Sequence, residues 1–242
     1  MSGPMNLQSA AVQELRRALS FAAVGQTSLE GTSQRIVELI YTALSGEQSG
    51  TSQLALARCF VTRPFSALSA NPDLQGTAQE LLGGEIPDPT HRCLLLMATR
   101  GVEPAWNTRT SSAGHKAIPL GSQLLMERTP MITELMRQLG IPREYFLNRG
   151  LLPPLSVPVR SAGCFYIPVA LGSPFIPAQD RFVVPYGVRS VLGLGSTLGA
   201  RDIFAVLLFF RVEISQELAQ LLSLLTVSIK IGLSTVVPHL FQ

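Results

Sequence analysis

Chemistry-bearing side chains gather between Glu103 and Leu120, where Trp106, Asn107, Arg109, His115 and Lys116 share one stretch without a clear helical or strand period. Such long segments are uncommon inside compact domains unless they are functional or disordered, and this mixture of aromatic, amide and basic groups is too specific for a linker. A neutral imidazole at His115 can bind a metal, ligate haem or hydrogen-bond an anionic ligand. Its structural alternative is to anchor the loop through a backbone carbonyl. Trp106 together with Tyr166, Tyr186 and Arg189 can wall an organic ligand, joining aromatic surface to a cation that grips carboxylate or phosphate. The competing roles are packing of the two tyrosines at strand positions and pairing of Arg189 with Asp180 or Asp202.

Other chemistries find less support. His91 and His239 are remote from His115 and lack the spacing of a zinc site, so no metal ligands are assigned. Cys59, Cys93 and Cys164 are odd in number, widely spaced and set in apolar contexts, which suits buried thiols in a reducing compartment. Arg58 precedes Cys59, but neighbours along a strand point to opposite faces. No Gly-x-Ser-x-Gly elbow is present, and no catalytic residue is assigned. The glycines in Gly193-Leu-Gly-Ser-Thr-Leu-Gly199 miss the dinucleotide spacing and precede a predicted strand instead of a helix, so they read as a hairpin connection.

The 242 residues, 46% hydrophobic and 14% charged, describe a well-packed interior. A net charge of +3 from scattered Lys and Arg gives no footprint for nucleic acid. Met1 to Gln13 lacks the cationic start and apolar core of a secretory signal, and the expected location is cytoplasmic. Leu218 to Val237 has about the length of a membrane span. Lys230, Gln220, Ser223, Thr226 and Ser228 interrupt it, and a packed helix is the better reading.

The elements that must position these residues follow from periodicity and breakers. A helix is predicted from Asn6 to Val24 with Leu7, Ala11, Leu15, Ala18, Leu19 and Ala22 on its stripe, ended by Gly25. A second, capped by Thr32 or Ser33, carries Ile36, Leu39, Ile40, Ala43 and Leu44. Strands are predicted at Gln53–Val61 and Arg92–Ala98, with a short helix at Leu74–Leu82 between them. A helix from Ser122 to Leu139, kinked near Pro130 and stopped by Gly140, leads into the proline-rich stretch Ile141–Ala162. Three further strands begin at Cys164, Asp180 and Asp202. The apolar helix Ile214–Leu233 closes the chain with two faces, one through Leu218, Leu221, Leu225 and Ile229, the other through Leu222, Leu224, Val227 and Ile231. The fold class is α+β: one antiparallel sheet with an N-terminal helical pair (1–46) beside a core (47–242) that ends in the long C-terminal helix.

This order, and above all Asp202-Ile-Phe-Ala-Val-Leu-Leu-Phe-Phe-Arg followed by a short polar turn and an apolar helix, resembles a GAF-type sensory domain, a fold related in layout to PAS domains. Trp106-Asn107, Gly114-His-Lys-Ala-Ile-Pro-Leu120, Leu171-Gly-Ser-Pro-Phe-Ile-Pro-Ala-Gln179 and Tyr186-Gly-Val-Arg-Ser-Val-Leu-Gly193 are similar to the N-terminal sensor region of bacterial multidomain histidine kinases. The resemblance covers about Ser28 to Leu233. It implies a non-enzymatic sensor with a pocket between the sheet and the central segment, a homodimer through terminal helices, and a downstream kinase or other output module. The alternative is a ligand-free dimerisation module. The chain lacks the Asn-Lys-Phe-Asp-Glu run of cyclic-nucleotide binders and a bilin-attachment context at its cysteines.

Overall fold

A six-stranded antiparallel sheet forms the frame of the computed structural model, which describes residues 9–48, 51–121, 129–141, 162–199, 202–235 and 240–241. Its strands are β1 (Leu54–Pro64), β2 (Arg92–Gly101), β3 (Ala117–Pro119), β4 (Gly163–Ile167), β5 (Ser190–Leu198) and β6 (Asp202–Phe210). They lie in the order β3-β2-β1-β6-β5-β4. The helices are α1 (Ser9–Ser20), α2 (Leu29–Leu44), α3 (Pro72–Leu81), α4 (Pro130–Gln138), α5 (Gln216–Ser223) and α6 (Leu225–Ser234). The α+β architecture read from the sequence is the one observed.

The central strands β1 and β6 are covered on both faces, which explains their nearly unbroken apolar runs. On one face Cys59, Val61, Phe204, Val206 and Phe210 join Ile36 and Ile40 of α2 and Leu222, Leu225 and Ile229 of α5 and α6 in a single core. On the other, Leu56, Phe60, Leu207 and Phe209 pack with Leu135 and Met136 of α4. A bulge separates the pairs Cys59 with Ala98 and Phe60 with Leu96, so Met97 and Ala98 both turn toward the helical face. Close approach also shapes the sheet at Gly193, where a Cβ would fall 2.0 Å from the ring of Phe165 on β4.

Several boundaries differ from the sequence reading for identifiable reasons. Ser28, not Thr32 or Ser33, caps α2: its Oγ accepts from the Gly31 amide at 3.0 Å, while Thr32 and Ser33 are buried within the helix. The face of α1 runs through Val12, Leu15 and Leu19 and leaves Ala11 exposed, because the bulkier valine gains more by burial. Asp180 does not begin a strand. Gln179–Val183 form a π-helical turn, Val184–Tyr186 continue as helix, Gly187 reverses the chain at φ 63°, and β5 starts at Ser190. Pro185 cannot donate to a ladder, which disfavors the extended alternative.

The closing helix breaks at Leu224 into α5 and α6. Its Leu218, Leu222, Leu225 and Ile229 are buried, whereas Leu224, Val227 and Ile231 are 43%, 53% and 46% exposed. Gln216–Ser234 is long and apolar enough to cross a membrane, yet half of it is buried in this fold. Gly232 lets α6 approach α1 closely, since a Cβ there would sit 2.5 Å from the Leu19 carbonyl oxygen. The predicted helix segment 122–128, the proline-rich stretch 142–161, residues 6–8 and His239 lie outside the described residues. Pro130 occupies the first position of α4, where its missing N–H costs nothing.

Candidate functional site

A cavity of about 310 Å³ lies between the α4-bearing face of the sheet and two loop segments, 106–118 and 175–182. Its floor comes from alternate residues of β1, Leu56, Arg58 and Phe60, with Leu207 and Phe209 of the neighbouring β6. Trp106, Ala113 and His115 close one side, Phe175 to Ala178 and Phe182 another, and the first turn of α4 a third. The indole has room because Gly101 lacks a side chain: a Cβ would lie 2.7 Å from Trp106 Cε3. Trp106 packs on Tyr186 at 4.4 Å between ring centroids and on Phe182 at 5.7 Å, and Phe182 meets Phe209 edge-on at 4.9 Å.

Arg58 is the charged group of this floor and only 9% exposed. Its Nη2 donates to Ser112 Oγ at 2.6 Å and to the Ala113 carbonyl at 3.4 Å, while its Nε is buried without a hydrogen-bond partner. Burial alone pushes its pKa down to about 10, so the guanidinium stays charged at neutral pH. No Asp or Glu lines the cavity among the described residues. His115 holds the left-handed conformation, φ 53°, directly after Gly114 at φ 70°; it is the one non-glycine residue with positive φ among the described residues. Although its edge is open, lost hydration and then the charge of Arg58 lower its pKa and favour neutral imidazole. The cavity's volume lies at the small end of the range for small-molecule sites.

Of the residues singled out by sequence, Trp106 and His115 line the cavity and Tyr186 backs the indole. The others are placed elsewhere. Asn107 accepts from the Gly101 amide through Oδ1 at 3.1 Å, fixing the turn after β2. Arg109 donates from Nε to Glu30 Oε1 on α2 at 2.8 Å and lies over the Phe241 ring at 5.1 Å. Lys116 donates to the Thr110 carbonyl at 3.0 Å and approaches Asp73 at 3.5 Å. Tyr166, on the helical face, donates its hydroxyl to the Ile214 carbonyl. Arg189 is 45% exposed and pairs with Glu213 at 3.5 Å, not with Asp180 or Asp202. Asp202 instead takes Arg63 and Arg92.

Arg58, Phe60, Phe182, Phe209 and Met131 escaped the sequence reading. Arg58 carried a usable signal, because a lone charge two residues from both Leu56 and Phe60 in an apolar strand must share their face. All three cysteines belong to the opposite side of the sheet. Desolvation pushes Cys59 and Cys93 up to about 12 and Cys164 up to about 11, which leaves the thiols protonated and poorly nucleophilic. Among the described residues no group of three or more His, Cys, Asp or Glu is placed to hold a metal ion.

The sequence matches no family model and no curated protein. Solved structures that resemble the fold include the free methionine-R-sulfoxide reductase from Neisseria meningitidis in complex with its substrate, 10% identical over 97% of this chain and 96% of that one, TM-score 0.48. The GAF domain from Acinetobacter phosphoenolpyruvate-protein phosphotransferase is 12% identical over 95% and 94%, TM-score 0.45. The phycoerythrobilin-bound GAF domain from a cyanobacterial phytochrome is 8% identical over 95% and 96%, TM-score 0.47. No residue role passes from them to this chain.

Proposed function

We propose that this chain is a GAF-type sensory domain of a signalling protein, which holds a small molecule against its sheet and relays occupancy through its terminal helices to a kinase or other output module. The observation that carries the reading is the cavity itself: about 310 Å³, bordered by sheet, loops and α4, apolar on most sides and furnished with Arg58 and His115. Pockets for small organic ligands combine these features, an apolar wall with few oriented polar groups. A ligand-free module would be expected to fill this space with its own side chains.

The link to the helices is local. Ser190 Oγ on β5 donates to the Val212 carbonyl at 2.8 Å and accepts from the Ile214 amide at 3.3 Å, and Tyr166 on β4 reaches the Ile214 carbonyl. The chain is thus held two residues before α5 begins. Relay requires that the ligand favour one of two arrangements of this junction.

Native mass spectrometry of protein purified from its own host tests the sensor reading. A bound small molecule that is displaced when Trp106 is replaced by alanine supports it. An empty protein that binds nothing from a metabolite extract, with Trp106 fluorescence unchanged, rejects it and leaves the dimerisation module.

A homodimer through the terminal helices is favoured by one observation: Leu224, Val227 and Ile231 recur at helical spacing along the exposed side of the closing helix. Light scattering on wild type and on the Val227→Glu, Ile231→Glu double variant checks it. A dimer reduced to monomer is expected; a monomeric wild type rules the interface out.

A further inference from the structure

Arg58 presents an unusual imbalance. A guanidinium buried to this degree is ordinarily matched by a carboxylate, because leaving a charge unpaired in a desolvated site is costly. Here only Nη2 is engaged, by a hydroxyl and a carbonyl, and Nε has no partner. His115 stands close enough to feel the Arg58 charge, and the amino-terminal turn of α4, Pro130 to Ile132, opens on the same space. A helix amino terminus adds a partial positive charge. All three influences favour an anion, and no acidic side chain among the described lining residues opposes them.

Most of the described wall is apolar, contributed chiefly by Phe60, Trp106, Met131, Phe182 and Phe209. A volume of about 310 Å³ admits a molecule of roughly ten to fifteen non-hydrogen atoms at interior packing density. One guanidinium with one neutral imidazole matches a single negative charge, and its planar fork fits carboxylate geometry. An α-amino acid fits poorly, since its ammonium would face Arg58 with no carboxylate among the described lining residues to receive it.

We infer that the cavity binds a small hydrophobic monocarboxylate, its carboxylate held by Arg58 and its apolar body packed among Phe60, Trp106 and Phe182. The assignment rests on the ligand-binding reading and deepens it by naming the chemical class. Charge identity decides recognition at the floor; size and flatness decide it at the wall.

Trp106 is the sole tryptophan of the chain, so intrinsic fluorescence reports on the cavity directly. The intact protein is titrated with 3-phenylpropanoate, octanoate, 3-phenylpropanamide, phenylalanine and phenyl phosphate, with calorimetry as a second readout. Saturable binding of a carboxylate at least about tenfold tighter than the amide is expected, with phenylalanine and phenyl phosphate weaker than 3-phenylpropanoate. Arg58→Met should weaken the acid at least about thirtyfold while changing the amide by less than about threefold. Equal affinity for acid and amide, tighter binding of phenyl phosphate, or no binding of either acid overturns the assignment. The acid and amide comparison on wild type stands whether or not the variant folds. A neutral molecule co-purifying with the protein and displaced from Trp106 would remove this inference while sparing the sensor reading.

Discussion

Arg58→Met in the ligand-free protein asks whether the guanidinium serves the fold or a ligand, and the structure gives the sizes of the opposing effects. Burial pushes the Arg58 pKa from its ordinary value down to about 10. At about 1.4 kcal/mol per pKa unit, the charged form is destabilised by on the order of 3 kcal/mol. The folded protein holds this proton less tightly than the unfolded chain, so the penalty is complete below about pH 10 and fades only as pH rises toward the ordinary arginine value. Against it stand the short bond from Nη2 to Ser112 Oγ at 2.6 Å and the long one to the Ala113 carbonyl at 3.4 Å. A hydrogen bond from a charged donor contributes about 1.5–3 kcal/mol, and the longer contact adds little.

Methionine keeps much of the stem's packing and discards the charge. The two effects nearly cancel, and the variant should unfold in urea within about 1 kcal/mol of wild type, equivalent to about 2–4 °C in Tm for a chain of this size. Removing one member of a buried ion pair costs about 3–5 kcal/mol instead. A loss in that range would refute the reasoning, because it would mean that the charge is already paired in the ligand-free fold. Near-neutral stability combined with lost binding of the acid is the signature of a charge kept for a ligand.

His115 supplies a pH dependence: its pKa is lowered by lost hydration and by Arg58, so folding releases its proton and stability falls as pH drops below the ordinary value of about 6.5. Acid affinity should move the opposite way, rising as His115 gains its proton beside the bound anion, and His115→Gln should flatten both profiles; an unchanged profile in that variant would exclude His115 as the source. Gly101→Ala places a methyl 2.7 Å from Trp106 Cε3 and 2.9 Å from the Ala55 carbonyl oxygen. It should cost about 1–3 kcal/mol and shift the tryptophan emission, and wild-type emission with wild-type stability would contradict the packing. Tyr166→Phe removes the hydroxyl that holds the Ile214 carbonyl. Hydrogen exchange at the start of α5 should quicken, with a stability loss of about 1 kcal/mol and unchanged acid affinity; weakened affinity would place Tyr166 in binding after all.

Those outcomes turn on residues that the sequence reveals unequally. The strands β1 and β6 and the closing helix were legible because continuous apolar runs and helical spacing are local properties. Trp106 and His115 stood out by composition, and the structure sets both on one cavity. Arg109, Lys116 and Arg189 carry the same chemistry but face other partners, a difference fixed by which side of the chain meets α2, α3 or the β6–α5 connection. The strand expected from Asp180 begins only at Ser190, because the residues before it are drawn into a helical turn and its loop. Gln179 accepts from the Gly172 amide and donates to the Ala170 and Ile176 carbonyls, stitching the preceding loop into a wall that a strand could not provide.

That stitched loop also bears on how the proposed ligand occupancy would reach the helices. Phe175 to Ala178 border the cavity, and Ala170, a few residues earlier, is tied by its amide to the Arg189 carbonyl just before β5. The loop continues directly from β4, where Phe165 faces the cavity-side core and Tyr166 the helical side. One short strand therefore touches both layers: its loop walls the cavity, and its tyrosine holds the carbonyl two residues before α5 begins. Gly193 matters here, because the Phe165 ring lies where a Cβ would be and fixes β4 against β5. Under the proposed relay, a movement of the wall would press on that close-packed pair and pass along β4 toward Ile214. The proposed relay requires two arrangements of the β4 end that ligand and helix bias together, and the Tyr166 hydroxyl bond is the contact expected to differ between them.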